Sequence, residues 1–166
     1  MSAESLRDAV AEPADDAALD GQGRVLVLRV GAEELALPLP ALREMLDAPV
    51  LTPVPLAPPA LIGQLTLRDQ HLPVLDLGVL LGVARELPIL AGVALVAADL
   101  RYAIAADDVV DLWEPSEFVR RPLPAGGDAR GLLAGVLHRG ERIAGVVDPT
   151  ALRGIVLATL RTIPLQ

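Results

Sequence analysis

From Arg24 to Val147 the sequence is written in short aliphatic runs, broken by glycine, proline or charged residues every 8 to 12 positions. That cadence leaves room for strands and tight turns but little for long helices. It indicates barrels or a sandwich rather than a parallel α/β sheet. RVLVLRV, the Gly31-Ala32 break and EELALPL read as two strands joined by a hairpin. Ala60 to Leu67 and His71 to Leu75 read as another, with the polar tip Arg68-Asp69-Gln70. Two further pairs follow: Leu90 to Ala98 with Tyr102 to Ala106, and Leu132 to His138 with Arg142 to Val147 around Arg139-Gly140-Glu141.

Three segments depart from this pattern. Pro40 to Leu46 carries a proline near its start, and Leu42, Met45 and Leu46 fall at helical spacing, which predicts a short helix. Asp76 to Gly82 offers an acidic cap and a terminal glycine for one or two helical turns. Asp148-Pro149-Thr150 opens a closing helix to about Arg161, with Leu152, Ile155, Val156 and Leu160 on one face. Prolines at 49, 53, 55, 58 and 59 exclude a helix there and predict an extended connector or edge strand.

Of the 166 residues 52 % are hydrophobic but only 2 % aromatic, so interdigitated branched side chains must fill the core of one folding unit. Residues 1–23 differ: six acids (Glu4, Asp8, Glu12, Asp15, Asp16 and Asp20) stand against Arg7 alone, as in a disordered acidic tail before a domain at 24–166. The tail holds −5 of the formal charge of −8, leaving the body at −3.

All 14 basic residues are arginine, and Arg120-Arg121 is the only adjacent pair, which argues against binding a nucleic-acid backbone. The absence of cysteine removes disulfides and thiolate chemistry, leaving a reducing cytoplasm as the default compartment. The N-terminus lacks a secretory pattern, and Pro88 to Ala98, the most apolar stretch, falls well short of the roughly 20 residues of a spanning helix, so no direct membrane insertion is expected.

Catalytic chemistry has little to work with. His71 and His138 have no partner at metal-ligand spacing, Ser116 lacks a nucleophile elbow, and the glycines, Gly126-Gly127 included, form no phosphate loop. Asp107 and Asp108 are adjacent, so in a strand or turn they point apart and read as solvated charges. Trp113 either anchors an interface or caps a core. No enzyme activity and no cofactor are expected.

Taken in order, GAEELALPLPALREML, PLAPPALIGQLTLRDQHLPVLDLGVLLG, YAIAADDVVDL and LLAGVLHRGERIAGVVDPTAL resemble CheW-like domains across about Arg24 to Leu160. The proline-bounded hairpin ending in PVLDL, within Ile62 to Leu77, is the most specific part. Where the family's hairpin has Asn-Leu-Arg-Gly, this chain has Thr66-Leu67-Arg68-Asp69. The resemblance implies a mainly β fold of two intertwined five-stranded SH3/OB-like barrels with short helices and a C-terminal helix. It implies an adaptor coupling the cytoplasmic tip of a chemoreceptor to a CheA-type histidine kinase.

On the same resemblance, Arg68 matches an arginine at the family's docking surface, although a turn arginine can equally be solvated. Leu42, Glu44 and Met45 match a helix beside the receptor groove, and Leu132 and Leu133 a segment near it; each is also a candidate for the core. Other readings of the fold are a small-molecule sensor and an adaptor for a pilus or other chemosensory output. No fused receiver domain is expected within these 166 residues.

Overall fold

In the computed structural model, which describes residues 23–83, 92–128 and 130–163, the predicted hairpins are present and the turns fall where the sequence breaks. Strands β1 (Val25–Val30) and β2 (Glu33–Pro38) pair in register Val30 to Glu33, with Gly31 at φ 59° in the turn, a conformation that a side chain would strain. Strands β4 (Leu61–Leu67) and β5 (Gln70–Asp76) form the central hairpin, and β6 (Val93–Ala97) pairs with β7 (Ala103–Ala106). Strands β10 (Leu133–Arg139) and β11 (Arg142–Val147) close the series.

One predicted element is of the wrong type. Pro40 to Leu46 is not a helix: after a 3-10 turn at Leu39–Ala41 the chain runs as strand β3 (Leu42–Asp47), paired with β6. The helical spacing had another cause. Leu42 faces Ala97 and Glu44 faces Val96, so Arg43 is an extra residue in a bulge. A bulge shifts the two-residue alternation by one position, so Leu42 and Met45, three apart, both enter the core. Cross-sheet burial then overrides the helix propensity of LREML.

Two strands escaped the sequence reading: β8 (Asp108–Trp113), where Asp108 and Trp113 were weighed singly and not as part of a strand, and β9 (Val119–Arg121), three exposed residues with no apolar run. One sheet has the order β8-β1-β2-β11-β10-β9 and the other β3-β6-β7-β5-β4. The first takes strands from both ends of the described chain, and the second is made wholly of the segment between them.

Helix α1 (Leu77–Leu81) starts at Asp76, whose buried Oδ1 accepts from the Gly78 N–H at 2.9 Å, and stops at Gly82 in the left-handed region. Helix α2 (Pro149–Leu160) is capped by Asp148, which accepts from the N–H groups of Thr150 and Ala151. Its Leu152 and Val156 join the aliphatic layer between the sheets, with Leu26, Leu28, Leu37, Leu75, Leu95 and Ile104. The outer face of each sheet buries a second cluster: Val27, Trp113 and Val146 on one, Leu65, Val74 and Val96 on the other. Burial on both faces explains why β1 reads as unbroken VLVL instead of alternating.

Asp107 is not a solvated charge. Its Oδ2 accepts from the Gly31 N–H at 2.7 Å and lies 3.6 Å from Arg29 Nη1, tying the β1–β2 turn to β8. Residues 1–22, which include nearly all of the expected tail, lie outside the described residues. Among the described residues no helix is long and apolar enough to cross a membrane.

Candidate docking surface

Leu67 pairs with Gln70, so only Arg68 and Asp69 form the tip of the β4–β5 hairpin. Both have positive φ, 49° and 66°, the geometry of a type I′ turn, whose twist matches that of the flanking strands. Glycine or asparagine meets this demand at least cost; here aspartate takes one position and arginine the other. The result is an arginine side chain 68 % exposed on a two-residue loop.

Arg68 Nη2 lies 3.5 Å from Oε2 of Glu44 on β3, the opposite edge of the same sheet. The sheet therefore curls enough to bring its two ends together. Thr52, in the proline-rich connector after β3, reinforces this by exchanging two backbone hydrogen bonds with Gln64 of β4, at 2.7 and 2.8 Å. The approach is close: a Cβ on Gly63 would lie 2.9 Å from that of Leu51, so only glycine fits without a shift. Glu44 Oε2 is buried and accepts no well-aligned hydrogen bond among the described residues, so the Arg68 charge is what compensates it.

The other sequence-selected residues separate. Leu42 and Met45 are buried in the layer between the sheets, and Leu132 is fully buried there. These three present almost no surface. Leu133 is half-buried and lines an open groove of about 620 Å³ with Leu35, Leu81, Val83, Glu33 and Arg130. Arg130 crosses this groove, donating to the carbonyls of Val79 and Leu80 at the end of α1.

Trp113 caps a core: its ring is fully buried and stands 6.4 Å from that of Phe118. Sequence reasoning missed the charges around it. Asp111 Oδ2 accepts from Trp113 Nε1 at 3.0 Å, Arg142 Nη1 at 2.8 Å and Arg139 Nη1 at 3.1 Å, while Arg142 also donates twice to Glu34. The two guanidiniums sit 5.1 and 5.8 Å from the indole centroid. Burial pushes the Asp111 carboxyl up, but hydrogen bonds from Trp113, Arg142 and the Leu112 N–H outweigh it and hold the group below its usual value. The signal available in sequence was the Trp113 indole N–H, which needs an acceptor once buried.

Comparison with known proteins agrees with this architecture. The fold is similar to that of the scaffolding protein TtCheW from Thermoanaerobacter tengcongensis, with a TM-score of 0.65 over 75 % of this chain and 88 % of that one, at 16 % identity. A chemotaxis protein CheW from Rhizobium meliloti (strain 1021) is 30 % identical over 133 residues, which span 78 % of this chain and 86 % of the relative. The profile of the CheW-like domain matches residues 24–154, and the chain belongs to the CheW-like family.

Proposed function

We propose that this CheW-like adaptor of chemotaxis signalling works without catalysis, in the cytoplasm, by holding a chemoreceptor tip and a CheA-type histidine kinase on separate surfaces. The observation that carries the reading is the Arg68–Glu44 pair. A planar five-donor guanidinium stands exposed at a two-residue tip, beside a carboxylate with unused acceptor capacity. A partner's carboxylate or backbone carbonyls can take the free side of Arg68, while Glu44 holds the guanidinium from the sheet side. Leu133 in the groove adds an apolar contact of the kind an amphipathic receptor helix uses, while Leu42, Met45 and Leu132 support the surface from beneath.

The docking platform is residues 24–166 behind the acidic segment 1–23, and each sheet acts as a barrel. The Thr52–Gln64 bridge across the ends of one sheet supports this. So does the short connector between β8 and β9, the outermost strands of the other, across which Trp113 meets Phe118. Closed sheets would hold the docking tip rigid, which lowers the entropy lost on binding. A flagellar, pilus or other output would use the same surfaces.

The test is a reconstitution of the purified chain with a CheA-type kinase and a soluble receptor cytoplasmic fragment, read by size-exclusion chromatography. A ternary complex is expected. Binding to neither partner, together with a small molecule retained through purification and raising the melting temperature, would replace the adaptor reading with that of a sensor.

A further inference from the structure

Strand β9 is an open sheet edge with a charge that nothing in the described chain answers. Its three residues, Val119, Arg120 and Arg121, are all exposed, and it pairs only with β10, through Val119–His138, Arg120–Leu137 and Arg121–Val136. Arg120 donates to the Ala134 carbonyl at 3.3 Å, and neither arginine faces a carboxylate among the described residues. Nearby Arg139 is by contrast held by Asp111 and Glu117. In a body of net charge −3, two adjacent uncompensated guanidiniums on an unpaired edge are the exception.

The chain supplies a matching acid pair at the right place. Its N-terminal segment enters the fold at Arg24, whose Nη1 is 4.0 Å from Glu114 Oε1 in the connector leading into β9. The next residue, Val25, lies across from Trp113, whose ring meets that of Phe118, the residue before β9. Asp15 and Asp16 stand nine and eight residues before Arg24, a reach of roughly 25 to 30 Å in extended chain. Arg120 is seven residues beyond Trp113, so at most about 25 Å away along the connector.

We propose that the acidic segment Glu12–Asp20 of this chain docks on its own β9 edge, with the Asp15-Asp16 pair against Arg120-Arg121. A tether this short gives an effective concentration in the millimolar range, so weak ion pairs suffice to populate the contact. The docked segment covers an edge open to pairing with a second copy, and any acidic partner of Arg120-Arg121 must first displace it. Because the pairs are exposed, the contact depends on salt: the screening length falls from about 30 Å at 0.01 M to about 3 Å at 1 M.

The chain has no cysteine, so Ala18→Cys gives a single site for a nitroxide label on the full-length protein. Loss of the Val119, Arg120 and Arg121 amide NMR peaks is expected at low salt, with recovery at high salt and in the Asp15→Asn/Asp16→Asn variant. That variant alters no residue of the folded body, so loss of fold cannot mimic the recovery. Peaks untouched at low salt, broadening that survives both changes, or broadening centred on another exposed arginine such as Arg43 would overturn the proposal. Mixing labelled chain with unlabelled, isotope-enriched chain separates the copies; broadening only between molecules would overturn it in favour of a second copy.

Discussion

Reversing one charge at the hairpin tip separates docking from stability. Arg68 is 68 % exposed and Glu44 29 %, so the pair is of the exposed type and contributes about 0.2 to 1 kcal/mol. Arg68→Glu removes that attraction and places a like charge near Glu44, for a total loss of about 2 kcal/mol or less. The positive φ of residue 68 adds no new strain, since arginine already bears it. At roughly 2 to 4 °C per kcal/mol, the melting temperature should fall by no more than about 8 °C. Binding should suffer at least as much, because truncating or reversing a docked charge costs about 2 kcal/mol or more, a rise in Kd of about thirtyfold or greater. Calorimetric titration against the kinase and the receptor fragment, beside a thermal scan, measures both. A Glu44→Arg/Arg68→Glu exchange should restore the melting temperature but not the affinity. Unchanged affinity in a folded Arg68→Glu variant would refute the docking argument and leave a solvated turn arginine; collapse of the fold would make Arg68 structural.

Three further outcomes follow from burial and charge. Leu132→Ala should lower stability by about 2 to 5 kcal/mol, whereas Leu133→Ala should cost about 1 kcal/mol or less; equal melting temperatures would contradict their different burial. Tyr102, the only tyrosine, is pushed up to about 12 by burial and then by the Asp99 charge, partly offset by Arg153. Its absorbance at 295 nm should therefore titrate near 12 in the folded protein, against about 10 in denaturant, and a folded-state midpoint near 10 would mean an open ring. The depressed Asp111 carboxyl contributes stability that is fully present above its unfolded value of about 3.9 and is lost as pH falls through its lower folded value. Acid titration of Asp111→Asn should accordingly show a flatter loss of stability below about pH 4 than the parent chain, and identical curves would refute the role given to the Asp111 network.

The sequence was most legible where local chemistry dictates geometry. Asp76 with Gly82 and Asp148 with Pro149 mark helix ends by satisfying or omitting backbone donors, and the structure keeps both. Gly31-Ala32 and the polar tripeptides mark the turns for the same local reason. It was least legible where a residue's face depends on a distant strand. LREML satisfies a helix on spacing and propensity alike, and only the bulge opposite Ala97 and Val96 makes it a strand with Leu42 and Met45 inward. Strand β9 had no apolar run to show, because it is an edge whose side chains all face solvent.

The candidate surface divides in the same way. Arg68 was singled out from the resemblance and its place at a hairpin tip, and the tip is indeed exposed, since a two-residue turn leaves its side chains in water. Pairing with Glu44 required the sheet to curl until the Arg68 tip came within 3.5 Å of a side chain on its opposite edge strand, which no local pattern encodes. Likewise, Leu132 and Leu133 are chemically identical neighbours, yet one is sealed between the sheets and the other opens on a groove. The sequence alone determined a β-rich adaptor fold, its turns, its caps and its family, because these depend on short-range backbone chemistry and on the order of segments. The tertiary structure alone decided which apolar residues remain as surface and which charges meet, because sheet curvature and strand register are set by packing over the whole chain.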